Sequence, residues 1–209
     1  MKILITPGVG EIEEKKSKFI AHLKSVSTEE EAVRFFEETK KQYWDAKHNC
    51  TAYVIGRDAS LTRCSDDGEP SQTAGRPMLN VLLHSEVRNV ACVVTRYFGG
   101  VLLGTGGLIK AYSDAVADAL AKSTIGEEIE GWDIPFTVDY VSYGKIKYEF
   151  EKLSYEITDA VFGENITASV KVPKEEKDRI VKILTDVTKG SAVIGEIKDC
   201  SILSVLNQE

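Results

Sequence analysis

The densest run of residues able to bind or activate a ligand is Arg96 to Lys110, RYFGGVLLGTGGLIK, in which an apolar stretch feeds five glycines, at 99, 100, 104, 106 and 107, and then a helical pattern. Glycine lets the backbone take positive φ and lets a ligand come close. If the amides of Thr105, Gly106 and Gly107 open the helix, they converge on one spot with the positive end of its dipole, an arrangement that suits an anion. The common nucleotide motifs fail here. Gly99 to Gly104 has the spacing of a phosphate loop but Thr105 stands where its lysine is required, and a GxGxxG fingerprint would need glycine at Ile109. Three roles stay open for the run: a tight turn with close helix packing, an anion or RNA site, and catalysis.

A second polar turn, SDDGEPSQTAGRP (Ser65 to Pro77), carries Asp66, Asp67 and Glu69 into a helix that bears Arg76. Adjacent aspartates lack the alternating oxygens of a calcium loop, so a turn-and-capping role is expected and no metal site. Arg76, Arg96 and Lys110, set around two loops that each open a helix, are the cations of the expected anion or RNA site, with Gly99, Gly100, Gly104, Thr105, Gly106 and Gly107 supplying backbone. Between residues 70 and 112, Arg76, Arg88, Arg96 and Lys110 face only Glu86, a local excess of positive charge. His48 and Cys50 fall short of a nucleophile pair, because spacing alone places no base or oxyanion hole. His22 and His84 read as packing or surface histidines. The cysteines at 50, 64, 92 and 200 form no CxxC pair, so all four are expected reduced, and no cofactor is indicated.

These residues need elements to hold them. Glu11 to Lys15 and Lys18 to Val26 predict a hairpin with a turn near Lys16 and Ser17. Ser27 and Thr28 before Glu29 to Glu31 predict an N-cap, followed by a helix of about 14 residues with Val33, Phe36 and Tyr43 on its apolar side. Cys50 to Gly56 and Leu61 to Cys64 read as strands, and a second helix begins near Thr73. The unbroken apolar run in Val90 to Phe98 predicts a central strand covered on both faces. After the glycines, Leu108, Tyr112, Ala115 and Ala119 share one face of a helix ending near Lys122. Beyond it, the pattern reads strand (Ile129 to Tyr140), helix (Tyr143, Ile146, Phe150, Leu153), two strands (Tyr155 to Phe162, Ile166 to Val172), a helix with Pro173 as its first residue and Gly190 past its end, and a strand over Ala192 to Val205. That order, β-α-β-β-α-β, is the ferredoxin-like unit.

The chain has 209 residues, 43% hydrophobic and 28% charged, with 16 Gly and 5 Pro, the balance of a globular protein of one large or two small domains. Residues 1 to 125 carry 16 cations and 16 acids, so the whole net charge of −7 belongs to the remainder. Charge and element order thus place a boundary at 125, giving domains 1–125 and 126–209. A chain this acidic is no general nucleic-acid binder, and any polyanion contact must be local. The longest apolar run, Val90 to Val94, is far short of the roughly 18 residues of a membrane helix. MKILITPG lacks the apolar core of a secretory signal, so a cytosolic protein without membrane contact is expected.

DDGEPSQTAGRPML (Asp66 to Leu79), VVTRYFGGVLLGTGGLIKAY (Val93 to Tyr112), SKFIA (Ser17 to Ala21) and HNCTAY (His48 to Tyr53) together resemble the IMPACT/YigZ family. Lys110 stands where arginine is expected in many members, which keeps the charge and loses the planar donor fork. The resemblance implies an α+β protein: an N-terminal domain similar to the second domain of a small-subunit ribosomal protein, then a ferredoxin-like domain similar to one in elongation factor G. It also implies a non-enzymatic regulator of translation or stress response, with RNA or the ribosome as partner through the basic glycine-rich site. The alternatives are a protein–protein interaction module of the same fold without RNA contact, with a protein partner in translation control, and a hydrolase or peptidase.

Overall fold

The computed structural model describes residues 1–205. Contacts divide the chain into two units, Met1–Glu127 and Glu128–Ser204. The first contains β1 (Lys2–Thr6), β2 (Val9–Glu14), β3 (Ser17–Ser25), α1 (Glu29–Gln42), β4 (His48–Ile55), β5 (Leu61–Ser65), α2 (Gly75–His84), β6 (Val87–Arg88), β7 (Val90–Tyr97), α3 (Gly104–Ala121) and the opening residues of β8 (Thr124–Val138). Five strands form an antiparallel sheet in the order β2-β3-β7-β4-β5. β1 pairs with β6 and with the first residues of β8.

β7 lies at the centre, and Val90 to Thr95 are fully buried. Its alternate residues serve two cores, as the pleat requires. Val90, Cys92 and Val94 pack with Phe19, Ala52, Met78, Leu82, Tyr112 and Ala115 beneath α2 and α3. Ala91 and Val93 pack with Val26, Ala32, Phe35 and Tyr53 beneath α1. An unbroken apolar strand is therefore the consequence of helices on both faces. The buried positions of α1 are Ala32, Phe35 and Thr39, one residue off the predicted stripe, and Val33 stays 44% exposed. The expected cap is present. Thr28 Oγ1 accepts from the Glu31 amide at 3.3 Å, and Glu31 Oε2 reaches back to the Ser27 amide, one residue before the cap, at 2.6 Å.

The second unit continues with the rest of β8, α4 (Tyr140–Lys152), β9 (Ile157–Phe162), β10 (Ile166–Pro173), α5 (Lys177–Thr188), β11 (Val193–Ile194) and β12 (Lys198–Val205). β12, β8, β10 and β9 are neighbours in that order, the ferredoxin-like arrangement. Ile134, Phe136, Ile146, Phe150, Ile180 and Leu184 fill its core. Two predicted details differ. Pro173 closes β10 with φ −53° and ψ 151°, and a 3-10 turn over Lys174–Glu176 precedes α5, because extended ψ at the proline belongs to the strand. The last strand is broken into β11 and β12, each paired with β8. Lys189 and Gly190 end α5 with φ of 52° and 86°, the left-handed stop expected after a helix. Among the described residues no helix is long and apolar enough to cross a membrane.

Candidate anion-binding rim and the buried network beneath it

Arg96 occupies the last buried position of β7, on the α2 and α3 side, and is 7% exposed. Its Nη1 donates to Glu69 Oε1 at 2.7 Å, and the Tyr112 hydroxyl donates to the same oxygen at 2.8 Å. Cys50 Sγ completes the chain, within 3.3 Å of the Tyr112 hydroxyl and 3.0 Å of the Asp66 carbonyl, its single proton donated to one of the two at a time. The guanidinium also sits 5.5 Å from the Phe19 ring and 5.7 Å from the Phe98 ring. A charge in this position is matched by a buried carboxylate, as physics demands of an ion taken out of water. Burial pushes the Cys50 thiol and the Tyr112 hydroxyl far above their ordinary values, the reverse of an activated nucleophile. His48, two residues away on the strand, spends Nδ1 on the Asp67 carbonyl at 2.9 Å and does not touch the thiol.

The acidic turn acts as the sequence spacing indicated, through capping. Asp66 Oδ1 accepts from the amides of Ala74 (3.0 Å) and Gly75 (2.8 Å), and Oδ2 accepts from Gln72 (2.8 Å), so one carboxylate satisfies three donors at the start of α2. Asp67 Oδ2 accepts from the Asn49 amide at 2.8 Å, and Lys40 pairs with its Oδ1 at 3.2 Å. Both aspartates and Glu69 therefore lock the Ser65–Thr73 turn to β4, β7 and α2.

The glycine-rich run divides into two functions. Gly99 is a close-approach residue: a Cβ there would collide with the backbone of Lys16 and Ser17, and its amide donates to Ser17 Oγ at 3.1 Å. Gly100 and Gly104 take φ of 86° and 69° and, like Gly106, have no atom near where a side chain would stand. Gly107 is tighter, with Leu103 Cβ 3.1 Å from that point. α3 starts at Gly104 with no acid in its first turn, and no side chain among the described residues caps it. Thr105 and Gly106 are exposed, as are Phe98 (55%), Val101 and Leu102 (84%). The result is a surface rim of amides and apolar side chains around an uncapped helix start.

Sequence reasoning missed Lys15 and Lys16. They form the β2–β3 turn with φ of 46° and 66°, are exposed, and enter no ion pair among the described residues. Gly99 brings that turn against the glycine run, and Glu14, just before it, is among the charges acting on Lys110. β2 runs along α3, with the Glu11 amide bonded to Asp118 Oδ2 at 2.8 Å. The available signal was the predicted hairpin with a lysine pair at its tip, whose neighbour nothing local could name. Of the three cations expected at the site, Lys110 is on the surface and pairs with Asp114, Arg96 spends its charge on Glu69, and Arg76 lines a separate groove between α2 and α3.

Residues 15–120 match the Impact N-terminal domain, and residues 136–191 match a domain of unknown function, DUF1949. IMPACT family member YvyE of Bacillus subtilis is 41% identical over 189 residues, covering 90% of this chain and 87% of that protein. IMPACT family member YigZ of Escherichia coli is 34% identical over 187 residues, covering 88% of this chain and 92% of that protein. A crystal structure described as a hypothetical protein aligns with a TM-score of 0.60 at 32% identity, over 100% of this chain and 98% of its own.

Proposed function

Since the chain belongs to the IMPACT family, we propose that it is a non-enzymatic regulator of translation or of a stress response, acting in the cytosol and associating with RNA or the ribosome through the first unit. The observation that carries this reading is the exposed start of α3 between Gly100 and Gly107, with the turn of Lys15 and Lys16, which enter no ion pair among the described residues, packed against Gly99. Backbone amides at a helix start hold phosphate oxygens, and neighbouring lysines add charge without demanding one geometry. The Phe98 ring, half exposed over Arg96, offers a face on which a base stacks. Lys110 adds a third surface cation, while Arg96 holds the rim in place through Glu69.

Few phosphates are neutralised by such a rim, so association should show a shallow salt dependence, about −0.7 in log affinity per log salt for each contact with single-stranded RNA. Lys15→Ala/Lys16→Ala removes two contacts and should flatten that slope by roughly 1.4 for ribosomes and single-stranded RNA, with the fold unchanged. Unaltered affinity and slope in this variant would overturn the site.

A further inference from the structure

We propose that the groove between α2 and α3 docks an acidic amphipathic helix of a protein partner, a surface separate from the anion-binding rim. The groove has a volume of about 610 Å³. Its α3 wall reads Ile109, Ser113, Ala117 and Leu120, so two small residues leave a trough between two apolar ends, and Pro77 and Val81 of α2 form the facing wall. Ile109 is 43% exposed and Ala117 is exposed, so apolar surface faces water along the trough.

The charges choose the occupant. Although the chain carries a net −7, no carboxylate among the described residues lines this groove. The acids of α3 lie on its other flank, where Asp118 accepts from the Glu11 amide of β2 and pairs with Lys122, and Asp114 pairs with Lys110. The α2 flank presents Arg76, exposed and without an ion pair among the described residues, together with the amides of Gln72 and Asn80. His84 stands eight residues further along α2, about 12 Å at 1.5 Å per residue, with Nδ1 donating to the Asn80 carbonyl at 2.6 Å. A cationic end beside an apolar trough fits a carboxylate followed by apolar anchors. The trough is too open to enclose most of a small ligand's surface, whereas a helix laid between two others covers the trough with its own body.

The test uses the full chain and a panel of fluorescein-labelled helical peptides, about 16 residues each, with leucines spaced i, i+4 and i+7 and flanking glutamates at varied register. Matched peptides carry lysine for glutamate. Anisotropy at 0.15 M salt should give at least tenfold tighter binding of an acidic peptide than of its basic twin. Arg76→Glu should reverse that preference. Ala117→Leu, which fills the trough from an exposed position, should weaken the acidic peptide at least tenfold, and amide shifts on titration should centre on Val81, Ile109, Ser113 and Ala117. Lys15→Ala/Lys16→Ala should leave the peptide affinity alone, which keeps this result apart from that of the RNA or ribosome site. The proposal is overturned if no acidic peptide binds below 1 mM, if acidic and basic peptides bind alike, if Ala117→Leu binds as well as the parent, or if the groove instead takes single-stranded RNA in a manner lost on Arg76→Glu.

Discussion

Replacing Arg96 by methionine tests whether this residue serves the interior or the surface. The Arg96 side chain is 8% exposed and that of Glu69 is 2% exposed, so removing the guanidinium strands a carboxylate with the Tyr112 hydroxyl as its one remaining side-chain donor among the described residues. Breaking one partner of a buried ion pair costs about 3–5 kcal/mol. Methionine keeps much of the packing against Phe19 and Phe98, so the charge change dominates. For a unit of this size that loss lowers the melting temperature by about 10–20 °C. Glu69→Met should cost a similar amount for the mirrored reason, an unpaired buried cation. Because apolar residues of similar volume substitute for a buried pair at little expense, Arg96→Met/Glu69→Met should recover at least 3 kcal/mol relative to the sum of the single changes, an estimate from the same desolvation argument. Urea unfolding followed by far-UV circular dichroism measures each corner of the cycle, with constant m-values as the control. A loss below about 1 kcal/mol in Arg96→Met, or a double variant as unstable as the two singles added, refutes the internal role.

Asp66→Ala removes the acceptor of three amides at the start of α2 and should destabilise the protein by about 2 kcal/mol, the upper end for a cap, whereas Asp66→Asn should lose less; thermal melts that rank the two equally would contradict the capping geometry. His22, whose Nε2 meets the Tyr43 hydroxyl at 2.8 Å, has its pKa lowered by burial. The unfolded chain therefore takes up that proton first, so stability should fall as pH drops through about 6.5, and His22→Gln should remove that part of the slope in melting temperature against pH. With a thiol reagent at pH 8, exposed Cys64 should be modified while the buried thiols of Cys50 and Cys92, both pushed up by desolvation, stay protected until the protein unfolds; labelling of native Cys50 as fast as Cys64 would show that its burial is not maintained.

Local pattern decided much of this protein. The unbroken run Val90 to Val94 announced a central strand because helices on both faces leave no polar position. Leu108, Tyr112, Ala115 and Ala119 announced the buried side of α3 because 3.6-residue periodicity is written in the chain itself, and Thr28, Gly190 and the acidic turn announced helix ends through hydrogen bonds spanning a few residues. The one-residue error on α1 arose where alternative apolar residues, Val33 and Phe36 beside Ala32 and Phe35, offered two stripes, and only packing against Val26 and Tyr53 chose between them. Strand order β2-β3-β7-β4-β5 lay beyond any window, since pairing depends on which faces need cover.

The site shows the same division. Glycine spacing and a helix start were legible in Arg96 to Lys110, but what each cation does depended on partners far away in sequence. Arg96 meets Glu69 across 27 residues, and Gly99 meets Ser17 across 82. A charged side chain goes inward only when a carboxylate is there to receive it, and outward when none is, so identical guanidinium chemistry became structural at Arg96 and superficial at Arg76. Composition and spacing showed a local excess of Lys and Arg beside a run of glycines. The fold alone decided that the Lys15–Lys16 turn packs against Gly99 while Arg96 turns inward to Glu69, because these pairings join positions that only the folded sheet brings together.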